Sequence, residues 1–417
     1  MRAPLLAYSV LTLLHLHAQE ERSVLTHDDR TLLRSMYEHC PKADILQIDR
    51  SESNYVELEY LCDGKIVEMG IKAGEVVFIE RETDPAEVPE EQILRLIEKH
   101  HPGGFIDEVS MLTVKDSSFF KVELIQDGIE HNMFITTTGK IYKPRASLAS
   151  EKWNLSKLEE LAVRGPKGYD LLAPDTTYQL PPILREISGI ATRDGRILYA
   201  VQDELGVVFE YDLAAGNISK IHRFTDVGDF EDITLMDDRI LVLRSDGNIF
   251  KIGGNGRVEE TLVQLPTLNV EGLHFDTKSG RLLLASKEAG IAEAAHLRTI
   301  YEVDEEGRAR PYLVIDVAEL GREFNKRHPS LHADELLLDP SAIAVHPSTG
   351  ELYVLSAADR LIAVYGNGLK DLFPLPAELF YKPEGLQFLS DGTLLISSEG
   401  DKKGFTLPSV MLFEHRK

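Results

Sequence analysis

NVEGLHFDTKSGRLLLASKE, residues 269–288, reads as two strands joined by a tight turn. Residues 270–275 and 282–286 are apolar runs of strand length, and Thr277-Lys278-Ser279-Gly280 between them is the polar, glycine-ended punctuation of a hairpin. Glu271 stands out as a carboxylate at the head of an otherwise buried strand. The same opening returns in KPEGLQFLSDGTLLISSEG from Lys382 and in DFEDITLMDDRILVLRSDG from Asp229. It returns more loosely in EISGIATRDGRILYAVQDE from Glu186 and PSAIAVHPSTGELYVLSAAD from Pro340. Each copy continues into further short strands, and four strands in about 40 residues is the period of a β-propeller blade.

Working outward, residues 176–417 hold five such units, and the last supplies only three strands before the sequence stops. TTYQLPPIL, residues 176–184, precedes the first unit and supplies the missing outer strand, so that the ring closes and the final edge is protected. The expectation is an all-β propeller of five blades, with six if the insert at 318–338 hides a degenerate one. A β-sandwich is the rival, and the fixed period argues against it.

Residues 26–145 carry a second duplication. An amphipathic helical pattern (Leu32, Leu33, Met36, Tyr37) ends at His39-Cys40-Pro41, and another (Ile93, Leu94, Leu96, Ile97) ends at His100-His101-Pro102. Three strand-like runs follow each helix, at 45–49, 55–61 and 76–80 and again at 108–114, 119–125 and 132–135, with Asp63-Gly64 and Asp127-Gly128 at matching turns. The two copies are expected to share one α+β core, because neither buries a sheet face alone. Residues 146–175, with a short helical pattern and a Gly/Pro-containing end, read as a linker.

Residues 1–18 place Arg2 before an apolar run and end in Ala18, the pattern of a secretory leader, so a secreted or periplasmic location is expected. No later run reaches the ~18 apolar residues of a membrane span. Cys40 and Cys62 either form one disulfide or stay as two buried thiols. A formal charge of −24 with no long Lys/Arg cluster excludes phosphate-backbone binding, leaving a small molecule or an envelope or extracellular protein as partner. His39, His100 and His101 fit the electrostatics of helix C-termini better than a metal site.

REISGIA, VQDELG, GDFEDI, LRSDG, VEGLHFD and KPEGLQF, spread over residues 166–417, resemble the SdiA-regulated family of propellers. That family in turn resembles gluconolactonases, paraoxonases and phytase-like esterases, which implies a propeller but no fixed reaction. YVELEYLCDGK from Tyr55 and FKVELIQDGI from Phe120 resemble PepSY-like domains, themselves likened to β-lactamase inhibitor proteins.

The innermost strand of each blade faces the channel, so the residues that open it gather around one axis: Ser188, Glu231, Glu271, Ser341 and Glu384. Strand ends add Asp203, Glu204, Arg244, Lys287, Glu288 and Glu399. Three uses compete. The glutamates clasp neighbouring blades through backbone N–H groups, Arg244 or Lys287. Alternatively, Glu231, Glu271 and Glu384 hold Ca²⁺, or the ring takes an organic ligand. The favoured function is an exported ligand- or partner-binding propeller. A Ca²⁺-dependent lactonase or phosphoesterase is the alternative, although no histidine recurs at the blade openings and no GxSxG elbow is present.

Overall fold

In a computed structural model the described residues are 27–416, apart from 53–54, 73–74, 84–89, 115–116, 127–128, 143–152, 268, 291–292, 305, 334–335 and 402–405. The leader-like stretch, the Asp127-Gly128 turn and the start of the expected linker fall outside them. The chain divides into two compact units, Met1–Lys143 and Pro144–Lys417.

In the first unit, helix α1 (His27–His39) is followed by β1 (Asp44–Glu52), β2 (Tyr55–Cys62), β3 (Lys65–Lys72) and β4 (Glu75–Glu82). Helix α2 (Glu90–His100) is followed by β5 (Phe105–Val114), β6 (Ser117–Gln126) and β7 (Ile129–Thr136). All seven strands form one antiparallel sheet in sequence order, and the pairing of β4 with β5 fuses the two copies. Each helix nevertheless keeps its own apolar cluster. Met36 packs with Leu58, Tyr60 and Met69, while Ile93 and Ile97 pack with Phe120, Val122 and Ile135. The first copy has four strands where the sequence suggests three. KIVEMGIK carries two lysines, a glutamate and a glycine and reads poorly as a strand, yet full pairing with β2 on one side and β4 on the other overrides that preference. Cys40 and Cys62 are disulfide-bonded, with Cα atoms 6.0 Å apart, which decides between the two expectations for this pair.

The second unit is a five-bladed propeller. Blade 1 comprises β9 (Ile187–Thr192), β10 (Ile197–Gln202), β11 (Val207–Asp212) and β12 (Asn217–Arg223), and is preceded by β8 (Thr176–Gln179). Blade 2 comprises β13 (Phe230–Met236), β14 (Arg239–Arg244), β15 (Asn248–Ile252) and β16 (Val258–Leu262). Blade 3 comprises β17 (Val270–Asp276), β18 (Arg281–Ser286), β19 (Leu297–Val303) and β20 (Ala309–Asp316). Blade 4 comprises β21 (Pro340–Val345), β22 (Leu352–Ser356), β23 (Leu361–Gly366) and β24 (Gly368–Pro374). Blade 5 has only β25 (Pro383–Phe388), β26 (Leu394–Ser398) and β27 (Ser409–Phe413) of its own, and β8 completes it, with Val410 opposite Tyr178 and Leu412 opposite Thr176. The closing strand is shorter than the quoted TTYQLPPIL. Pro181 and Pro182 lack amide donors and turn the chain into a short 3-10 helix at Pro182–Leu184.

Two expectations change. The 318–338 insert is not a sixth blade: its first half is helix α3 (Val317–Arg327), capped by Asp316, whose carboxylate accepts the Glu319 amide at 2.9 Å. And the segment expected as a linker is, from Trp153 on, part of the propeller. Trp153 is 1% exposed, its indole N–H donates to the Asp359 carbonyl, and its ring lies 5.0 Å from Phe324 of α3. The lone tryptophan, seen in sequence among charged residues, gave no sign of this long-range contact.

Candidate functional site

Every inner strand opens on a β-bulge. Pairing slips between Val201 and Gln202 opposite β9, and within β13, β17, β21 and β25 it slips between Phe230 and Asp232, Val270 and Gly272, Pro340 and Ala342, and Pro383 and Leu386. The residue left out of register is Ser188, Glu231, Glu271 or Ser341, and in blade 5 Glu384 together with Gly385. A bulge re-aims its side chain, here at equivalent places around the channel. The flanking backbone repeats as well. The amides of Asp203, Ser245, Lys287 and Glu399 donate to the carbonyls of Glu186, Asp229, Asn269 and Lys382 at 3.3, 2.9, 3.1 and 2.9 Å. One end of the channel is thus ringed by strand-end residues from successive blades.

The residue after the bulge explains the recurrent glycine. A Cβ on Gly189 would stand 2.6 Å from the Cα of Asp232, and one on Gly385 would stand 3.2 Å from the amide of Ile190, so adjacent inner strands approach too closely for a side chain. Blade 4 has Ala342 at this place, and blade 2 has Asp232. Its carboxylate accepts the Leu273 amide of blade 3 at 2.7 Å and the Ile233 amide at 2.8 Å. The blade-to-blade clasp therefore exists, but it belongs to Asp232, one residue beyond the expected Glu231. Thr234 adds a second link, accepting the Phe275 amide at 3.1 Å. Burial drives the Asp232 carboxyl well above the usual range despite these two donors.

The glutamates at the bulges meet lysines and one another. Lys287 bonds Glu271, and Lys382 bonds Glu384 at 3.0 Å and Glu399 at 2.8 Å. Burial, then the charges of Glu271, Asp229 and Glu384, push the Glu231 carboxyl up to about 10. Burial and Glu384 raise Glu271 to about 7 against the pull of Lys287. Burial raises Glu399 to about 8 although Lys382 opposes it. Asp203 rises to about 6 through burial and the neighbouring Glu186 and Glu204, and its Oδ1 is buried without a hydrogen-bond partner. Burial disfavours the charge on Lys382, yet Glu384 and Glu399 outweigh it and hold the ammonium above its ordinary range. These mutual influences join Asp203, Glu231, Glu271, Glu384 and Glu399 with Lys287 and Lys382 in one electrostatic cluster.

Other expected residues stand apart. Arg244 bonds Asp246 at 2.8 Å, lies 3.6 Å from Glu260 and sits over the Phe250 ring, so it clasps none of the axial glutamates. The hydroxyls of Ser188 and Ser341 donate to the carbonyls of Glu186 and Pro383, both at 3.3 Å. Glu204 anchors its loop through its amide, which donates to Gln202 at 2.6 Å, and Glu288 is exposed. Among the described residues no three His, Cys, Asp or Glu side chains converge as a metal-holding group. His274 and His346 are packed, the latter accepting the Ser348 and Thr349 amides at 3.1 and 3.2 Å. Lys382 is the cluster residue that sequence reading passed over. Its signal is positional: it precedes the bulge by two, as Asn269 and Asp229 do in their blades.

No family model matches the chain, and no curated protein does. Among solved structures it is similar to a catalytically inactive virginiamycin B lyase from Staphylococcus aureus with quinupristin, at 12% identity over 89% of this chain and 95% of that one, with a TM-score of 0.34. It is similar to a nidogen/laminin complex at 15% identity over 51% and 72%, with a TM-score of 0.37. It is also similar to a BLIP-like protein from Bacteroides fragilis at 16% identity over 30% and 88%, with a TM-score of 0.25. The propeller stands on the chain's own strand pairing.

Proposed function

We propose that the ringed end of the channel binds a small cationic ligand, in a protein that works outside the reducing cytoplasm. The observation that carries this is the imbalance of the cluster among the described residues: five carboxyl groups, Asp203, Glu231, Glu271, Glu384 and Glu399, interact there with two lysines, Lys287 and Lys382. The excess is accommodated by carboxyls raised out of their usual range, and an arriving positive charge offsets the repulsion they feel. The Cys40–Cys62 disulfide and the leader-like residues 1–18 support export. No helix among the described residues is long and apolar enough to cross a membrane.

Calcium is the second form of the proposal, favoured by an oxygen-only donor set; it has to displace the ammonium groups of Lys287 and Lys382 from the carboxylates they occupy. A hydrolase built on the same end draws support from Glu271 and Glu399, whose carboxyls at about 7 and about 8 are poised for proton transfer near neutral pH.

Titration calorimetry with putrescine and with Ca²⁺ at pH 7.5 tests the reading. Binding should release protons, seen as a dependence of the heat on the buffer's ionisation enthalpy, and Glu231→Gln should reduce that release. Heat from neither probe discards the cationic-ligand proposal, and heat from Ca²⁺ alone selects the metal form.

A further inference from the structure

A crevice between blades 1 and 2 lies among residues that the channel cluster does not use. Its first wall is built by register. Tyr199 of β10 lies opposite Glu210 of β11, which lies opposite Lys220 of β12, so the three side chains share one face of blade 1. Towards the channel the same face is apolar. Val201 and Val208, two residues from Tyr199 and Glu210, pack with Phe230, Ile233, Val242 and Phe250 of blade 2. Blades diverge outward, and where the apolar contact ends the face turns polar and the crevice opens.

The second wall is the β13–β14 turn with Asp237 and Asp238, together with the glycine-rich β15–β16 turn, residues 253–256. The latter folds tightly, Gly256 donating to the Gly253 carbonyl at 2.8 Å. A Cβ on Gly254 or Gly256 would meet nothing within 4 Å, so this lip leaves free space.

The two walls carry opposite charge. On blade 1, His222 takes up the Glu210 carboxylate, and Arg193 and Lys220 are left as the positive groups. On blade 2 the charged groups are Asp237 and Asp238. None of Arg193, Lys220, Asp237 or Asp238 enters an ion pair among the described residues, although all four line the same cavity. Opposed charges that line one space without closing on each other leave room for a ligand carrying both signs. Tyr199, its hydroxyl kept neutral by burial and by Glu210, accepts a hydrogen bond from Arg193 and holds that guanidinium on the same face.

We propose that this crevice binds a small zwitterion of the amino-acid or short-peptide class, its carboxylate on Arg193 and Lys220 and its ammonium group on Asp237 and Asp238. The site is separate from the channel end and does not depend on the function proposed for it.

The test is calorimetric titration of the full chain with dialanine and with each free α-amino acid, beside N-acetyl-dialanine and dialanine amide. Binding should be seen for at least one zwitterion and should weaken about tenfold or more when either terminus is capped, the size expected for one charge-assisted hydrogen bond. Lys220→Glu and Asp238→Asn replace exposed side chains and leave the fold intact, and each should weaken binding similarly. Glu271→Gln, in the channel cluster, should not. Absence of binding by every zwitterion, equal binding of the capped forms, or no loss in Lys220→Glu overturns the proposal.

Discussion

Both units are built by repetition, and they use it in opposite ways. In Met1–Lys143 the two copies are laid edge to edge, β4 pairing with β5, and the result is one continuous sheet. In the propeller the copies stay separate four-stranded sheets that meet face to face around an axis. In-plane repetition carries equivalent positions apart, each copy keeping its own helix and apolar cluster. Radial repetition carries them together, so a residue that recurs once per blade becomes a ring. That is why the cluster of raised carboxyls grows from the bulges of the propeller, and why two histidines at equivalent helix ends of the first unit, His39 and His100, enter no common site: His39 simply bonds the Tyr60 hydroxyl at 2.8 Å.

The most forceful way to break the comparison is to open the ring. A radial array depends on closure, and without residues 176–184 the backbone edge of β27 is left unpaired. The expected loss is several kcal/mol from missing pairing and burial. The signal is convenient, because the single tryptophan, Trp153, is buried in the propeller unit. Its fluorescence should give a much lower denaturant midpoint in the deletion variant, and an unchanged midpoint contradicts closure by β8.

Reducing the Cys40–Cys62 disulfide sharpens the contrast from the other side. Its sequence separation of 22 corresponds to a stabilisation of about 3 kcal/mol by loop-closure entropy. The loss should appear in the first unit alone, as faster hydrogen exchange in β1–β4, with the Trp153 transition unmoved. A shift of that transition shows that the two repeats do not stabilise their units independently.

A smaller effect probes the contact between blades. Gly189→Ala places a methyl group against the backbone of Asp232 and should cost about 1–3 kcal/mol, as overpacking does. Gly64→Ala, in the open β2–β3 turn at φ 83°, meets no atom and should cost only the roughly 1 kcal/mol of a left-handed backbone. Equal costs in urea titrations of the two variants remove the distinction between face-to-face and in-plane packing.

Much of this was legible because its physics is local. Alternation, Gly-ended turns and the 40-residue period identify blades, and the incomplete last blade points to TTYQLPPIL as its closing strand. What stayed hidden depends on partners distant in the sequence. Asp232 and Glu231 are adjacent acids on one strand, and only the bulge decides that the first reaches blade 3 while the second faces the channel. Lys382 looks like an ordinary lysine before a proline until the fold sets it between Glu384 and Glu399. Trp153 and β3 were missed for the same reason, since their stability comes from the surfaces they meet.

The central claim is that three of the five blades draw their bulge carboxylates, Glu231, Glu271 and Glu384, into one interacting cluster, and Glu231 reports on it most directly. Its folded value is raised, so its contribution to stability is fully present below the ordinary carboxylate range and is lost as pH rises towards about 10. The measurement is a carbon-detected NMR titration of the Glu231 side-chain carboxyl from pH 3 to 11, assigned with Glu231→Gln. The account predicts that Glu231 stays protonated at pH 7 and ionises near 10, and that Glu271→Gln, by removing the largest repulsion after burial itself, moves that midpoint down. A Glu231 that ionises in the ordinary range, near about 4.3, and ignores Glu271→Gln contradicts it.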